Sequence, residues 1–122
     1  ILSLLAKIFG VSSVYACDND SESQRVLQEN LEKNDQGSIE WIEAWSSQLQ
    51  NQVDLTVANI IDGVLLDLKI EFQKVNSPYY IFTGILKERE ANFLTEMTHQ
   101  WPLKVLQRLE KDEWVGFLME QA

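Results

Sequence analysis

The chain has 122 residues, room for one domain, and its 45% hydrophobic content is that of a folded protein rather than a disordered one. Nineteen Asp and Glu against ten Lys and Arg leave a formal net charge of −9, which excludes a broad phosphate-backbone binder and favours a basic partner over nucleic acid. The single cysteine, Cys17, excludes an intrachain disulfide and a cysteine-based zinc site, and it fits a cytoplasmic compartment.

Residues 1–9 place Ile1, Leu2, Leu4, Leu5, Ile8 and Phe9 nearly all round a helix, as suits one buried against a sheet, and Gly10 stands where a helix-ending glycine belongs. A spanning helix needs about 20 apolar residues, and no window approaches that, so no membrane partner is expected. The first residue already lies inside the helical pattern and no Met precedes it, which reads as the continuation of upstream sequence. Residues 14–17 form a short apolar run ending at Asp18, read as a buried strand with Cys17 as an inert buried thiol. Ser21 and Gln24 have the spacing of a capping box, opening a helix that buries Val26, Leu27 and Leu31 and stops near Asn34.

Residues 39–42 read as a second strand, and residues 53–58 as a third, with Val53, Leu55 and Val57 alternating with Asp54 and Thr56. Ile61, Leu65, Leu68 and Phe72 then lie at helical spacing. Asn76-Ser77-Pro78 signals a turn before a strand at 79–83, and Phe93, Leu94 and Met97 mark the stripe of the next helix, with Glu88, Arg89 and Glu90 solvated. After Trp101-Pro102, two runs separated by a short turn at Lys111-Asp112 predict an antiparallel hairpin, because a parallel crossover needs about a dozen residues or more.

This order predicts an α/β fold: a mostly parallel sheet with its last strand antiparallel, right-handed crossovers and helices on both faces. Open sheets of this kind bind ligands beyond the carboxyl ends of their strands. Those ends carry Asp18-Asn19-Asp20, Asn59 and Thr83-Gly84. Asp18 could accept both hydroxyls of a ribose, while Asp20 is equally suited to cap a helix. Asn59 offers one acceptor and two donors just past a buried strand, and a plain turn is the competing role. His99 is read as a partner for a helix C-terminus, and the scattered carboxylates give no metal site.

Asp18-Asn19-Asp20, Val57-Ala58-Asn59-Ile60 with Gly63 after it, Thr83-Gly84-Ile85-Leu86, and Glu113-Trp114-Val115 come in an order that resembles one family. It is the C-terminal catalytic domain of the PrmA family, methyltransferases of protein eleven of the large ribosomal subunit. The resemblance covers essentially the whole chain. It implies a Rossmann-like sheet of the class I methyltransferase type with the final strand inserted antiparallel, S-adenosylmethionine as cofactor, and transfer of methyl groups to α-amino and lysine ε-amino groups of a basic ribosomal protein. It also implies that Asp18 holds the ribose and that Asn59 lies beside the methionine moiety and the incoming amine. Among the tryptophans, Trp45 follows the second strand near the expected adenine and is the stacking candidate, with packing the competing role.

Ser21 stands where the family usually has Pro, and both suit a helix start. Ile1-Leu2 is similar to the end of the family's glycine loop, so the first strand and that loop are expected to be missing from residues 1–122, a partial methyltransferase domain expected to be inactive by itself. A non-catalytic Rossmann-like binding module and a methyltransferase of another substrate are the alternatives. A dehydrogenase is disfavoured by the terminal hairpin and by Asn59-Ile60. Oligomeric state is left open.

Overall fold

The computed structural model describes residues 2–34, 39–42 and 48–122. They fall into two units, residues 1–48 and 49–122, each described by itself.

In the first unit, helix α1 (Leu2–Ile8) ends as its sequence predicts. Gly10 takes φ +88°, and the amides of Gly10 and Val11 return to the carbonyls of Lys7 and Ala6, both at 3.0 Å, the paired bonds of a Schellman cap. Strand β1 (Tyr15–Ala16) pairs in parallel with β2 (Glu40–Trp41). Between them runs α2 (Ser21–Asn34). Leu4, Leu31 and Ile39 form the buried cluster, with Val14, Ala16 and Leu27 against it. Val26, expected inside, is exposed. Cys17 is exposed as well, correcting the expectation of a buried thiol, because β1 ends before it.

The second unit is a sheet of order β3-β4-β6-β5. Strands β3 (Leu55–Asn59) and β4 (Tyr79–Leu86) are parallel; β6 (Trp114–Gln121) runs antiparallel to β4 on one side and to β5 (Leu103–Lys111) on the other. The terminal ribbon therefore joins the sheet as expected, with the last strand inserted. The run expected as one helix is two, α3 (Asp62–Asp67) and α4 (Lys69–Val75), broken at Leu68, whose φ −89° and ψ 3° leave the helical region. A 3₁₀ turn (Lys87–Arg89) leads into α5 (Glu90–Thr98).

Tyr80, Phe82, Val115, Phe117 and Met119 point to the face that these helices cover, where Leu65, Phe72, Phe93 and Met97 are buried completely. Phe82 is the hub: its ring meets Phe72 edge-on at 5.1 Å, stacks on Tyr80 at 5.5 Å and lies 6.1 Å from Phe93. Burial of each such side chain contributes about 1.5–3 kcal/mol, which makes this cluster the main hold on the unit. The polar atoms it encloses are matched. The Ser77 amide donates to the Tyr80 hydroxyl at 2.9 Å, and that hydroxyl donates to the Phe72 carbonyl at 2.8 Å. Burial raises the Tyr80 phenol above its ordinary pKa.

Candidate functional site

The carboxyl end of β3 is built where the turn after β3 lies against strand β4. Asn59 stands in register with Thr83, and the Ile60 amide donates to the Thr83 carbonyl at 3.3 Å. There β4 breaks register between Phe82 and Ile85, and Gly84 takes φ +86°. A Cβ at Gly84 would lie 2.5 Å from the Ile60 carbonyl oxygen, so only glycine lets the turn after β3 lie against β4 this closely. Asn59 itself is exposed, and its carboxamide makes no hydrogen bond among the described residues.

Three residues on, Asp62 opens α3 with only 2% of its surface exposed. Its Oδ2 lies 2.7 Å from Nε of Arg89, the residue that precedes α5, yet that oxygen has no well-aligned hydrogen bond. The sequence reading missed this pair. Its one signal is an acid inside the run from Ile60 to Leu66, which is otherwise apolar apart from Gly63.

In the first unit, Asp18 directly follows the β1 region and is exposed. Its Oδ1 accepts the Asp20 amide at 3.0 Å. Asp20 caps α2: its Oδ1 accepts the Glu22 amide and its carbonyl the Ser23 amide, each at 3.0 Å. The cap is thus Asp20 rather than the Ser21 capping box expected. Asp18 and Asn59 belong to separate units. Trp45 and Ile1 lie outside the described residues.

Other singled-out residues take structural parts. His99 is at the C-cap of α5, and the cation there is Lys69, whose Nζ donates to the Glu96 carbonyl at 2.7 Å and also to that of His99. Glu90, expected to be solvated, binds Arg108 through both carboxylate oxygens, and Arg108 also reaches Glu110 at 2.9 Å. Trp101 is buried, and its indole N–H donates to Gln121 at 2.8 Å. Among the described residues no group of three or more His, Cys, Asp or Glu could hold a metal ion, and no helix is long and apolar enough to cross a membrane. A surface hollow of about 520 Å³ lies over Ile81, Thr83, Leu109, Trp114 and Leu118 on the face of the sheet opposite the aromatic cluster.

A family model described as ribosomal protein L11 methyltransferase (PrmA) matches residues 1–122. The chain belongs to that family. A ribosomal protein L11 methyltransferase of Desulforamulus reducens is 31% identical over 124 residues, covering 97% of this chain and 39% of the relative. One from Thermotoga neapolitana is 29% identical, covering 100% of this chain and 47% of the relative. The crystal structure of a ribosomal protein L11 methylase from Lactobacillus delbrueckii subsp. bulgaricus superposes with a TM-score of 0.84 at 25% identity, over 98% of this chain and 63% of that one. The chain thus spans less than half the length of these two curated relatives of the PrmA family. The Rossmann-like α/β fold, with its parallel pairs and C-terminal antiparallel hairpin, is the one the sequence predicts.

Proposed function

We propose that residues 1–122 are part of one S-adenosylmethionine-dependent methyltransferase domain, whose parent protein methylates amino groups of ribosomal protein L11 in the cytoplasm. The observation that carries this reading is the family match over the whole chain, combined with Asn59 presented bare at the carboxyl end of β3. The donor set fits the cofactor. Asp18 would accept the ribose hydroxyls through its carboxylate, Asn59 would lie beside the methionine moiety, and Trp45 is the candidate for stacking on the adenine. When bound, S-adenosylmethionine supplies an electrophilic methyl group.

The chain's own contribution is to orient the amine. A neutral amine attacks in line, so its lone pair must be aimed and kept from water. The Asn59 carboxamide oxygen accepts a hydrogen bond from the amine N–H and fixes that direction, with no general base required once the amine arrives deprotonated. The net charge of −9 favours approach of a lysine-rich protein.

Calorimetric titration and methyl-transfer assays on the protein that carries this chain test the reading. Asp18→Ala should weaken cofactor binding by about 1.5–3 kcal/mol, the range for hydrogen bonds to a charged group. Asn59→Ala should leave folding nearly unchanged and lower turnover on L11 by on the order of 10²-fold, as when one orienting donor or acceptor is removed from a site. Normal turnover by Asn59→Ala removes that residue from the site. A parent protein that binds no cofactor is a degenerate binding module.

A further inference from the structure

We propose that the buried Asp62–Arg89 ion pair is a positioning element that holds Asn59 in place, by tying the connection after β3 to the connection after β4. The role of Asn59 rests on the function proposed above; the tie itself rests on geometry. Asp62 is 2% exposed and Arg89 is about half exposed, with Nε 2.7 Å from Oδ2. Because that oxygen lacks an aligned hydrogen bond, the guanidinium charge is its main compensation. A carboxylate taken out of water and then deprived of its counter-charge is strongly destabilised, so the pair constrains where both residues can sit.

The two partners flank a contact already in place, that of the turn after β3 against strand β4 itself. Asp62 follows Asn59 on the β3 side, and Arg89 follows Gly84 on the β4 side, where Gly84 abuts the Ile60 carbonyl. The ion pair and the Ile60–Gly84 approach are therefore two fastenings of one joint, and Asn59 is the side chain that the joint carries. Loosening the ionic fastening frees the loop without disturbing the aromatic cluster below.

The test is hydrogen exchange by NMR on the intact chain and on Asp62→Asn, Arg89→Gln and the double variant. Asp62→Asn removes the buried charge itself, so it folds even if Arg89→Gln, which strands that charge, does not. Exchange of the Ile60 amide should speed up by about tenfold in each single variant and no further in the double, and the Asn59 side-chain resonances should broaden, while the Tyr80 and Phe82 amides keep their rates. Arg89→Lys, which keeps the charge, should recover most of the protection. In the full methyltransferase, Arg89→Gln should lower kcat and leave cofactor affinity alone. The proposal is overturned by an unchanged Ile60 rate, by acceleration spread evenly through the sheet, or by additive effects in the double variant. Exchange is read without turnover, so loss of the proposed function and loss of this proposal are separate results.

Discussion

Gly84→Ala is the sharpest probe of how the site is built. The substitution combines two penalties that the structure separates. At φ +86° a residue bearing a Cβ loses about 1–2 kcal/mol relative to glycine. The new methyl would also sit 2.5 Å from the Ile60 oxygen, 2.8 Å from its carbonyl carbon and 3.2 Å from its nitrogen, all backbone atoms that cannot rotate aside. Forcing a methyl into such a space costs about 1–3 kcal/mol more. The sum, about 2–5 kcal/mol, is a large part of the roughly 5–15 kcal/mol that holds a typical domain together. Two other glycines isolate the contributions. Gly10 has φ +88° and nothing within 4 Å, so Gly10→Ala should show only the conformational penalty. Gly63, in α3, has neither a positive φ nor a neighbour, and Gly63→Ala should stabilise by about 0.4–1 kcal/mol. Urea unfolding followed by amide NMR intensities reads each unit by itself, and Gly84→Ala should lower the midpoint of the second unit by about 1–3 M. If Gly84→Ala costs no more than Gly10→Ala, the close approach of the turn after β3 to β4 is wrong.

The remaining predictions concern the groups around the aromatic cluster and the surface ion pairs. Tyr80→Phe removes the acceptor of the buried Ser77 amide and the donor to the Phe72 carbonyl, and it should destabilise by about 1–3 kcal/mol in equilibrium denaturation. Arg108 hydrogen-bonds Glu90 and Glu110 and holds both carboxyls below their ordinary pKa, with Lys87 assisting at Glu110. A depressed folded-state pKa gives stability that is full above the ordinary carboxylate range and is lost as pH falls through that range and below it. Unfolding midpoints measured across that window should therefore drop on acidification, and Arg108→Gln should flatten the drop; an equally steep curve in the variant would refute the assignment.

What could be read from the sequence follows the range of each interaction. The hairpin was legible because both strands and their turn are local: Leu103 and Val105 alternate with polar neighbours, and Asp112 takes the φ +55° that a tight turn requires. Gly10 and Asn76 were legible as stops for the same reason. The break at Leu68 was not, since apolar spacing runs unbroken across a kink that keeps both halves on one face. Ser21 and Asp20 both carry capping side chains, and only the path of the backbone decides that Asp20 does the capping. Of the candidate site, Asn59 could be placed at a strand end from pattern alone; Gly84, read as the end of a strand closing at 83, lies inside β4, and its contact with Ile60 depends on the register of β3 against β4. Asp62 and Arg89 lie on separate elements, and nothing local to either residue announces its partner.

The position of β6 has a consequence for how the second unit comes into being. This strand is the last described in chain order, yet it occupies the interior of the sheet, with β4 on one flank and β5 on the other. Until residues 114–121 have been synthesised, β4 and β5 have no neighbour in common, and Phe82 and Phe93 lack the Phe117 side of their packing. The nascent chain must therefore keep an unfinished apolar surface until its final strand emerges, and assembly of this sheet is bound to be late and dominated by contacts distant along the chain.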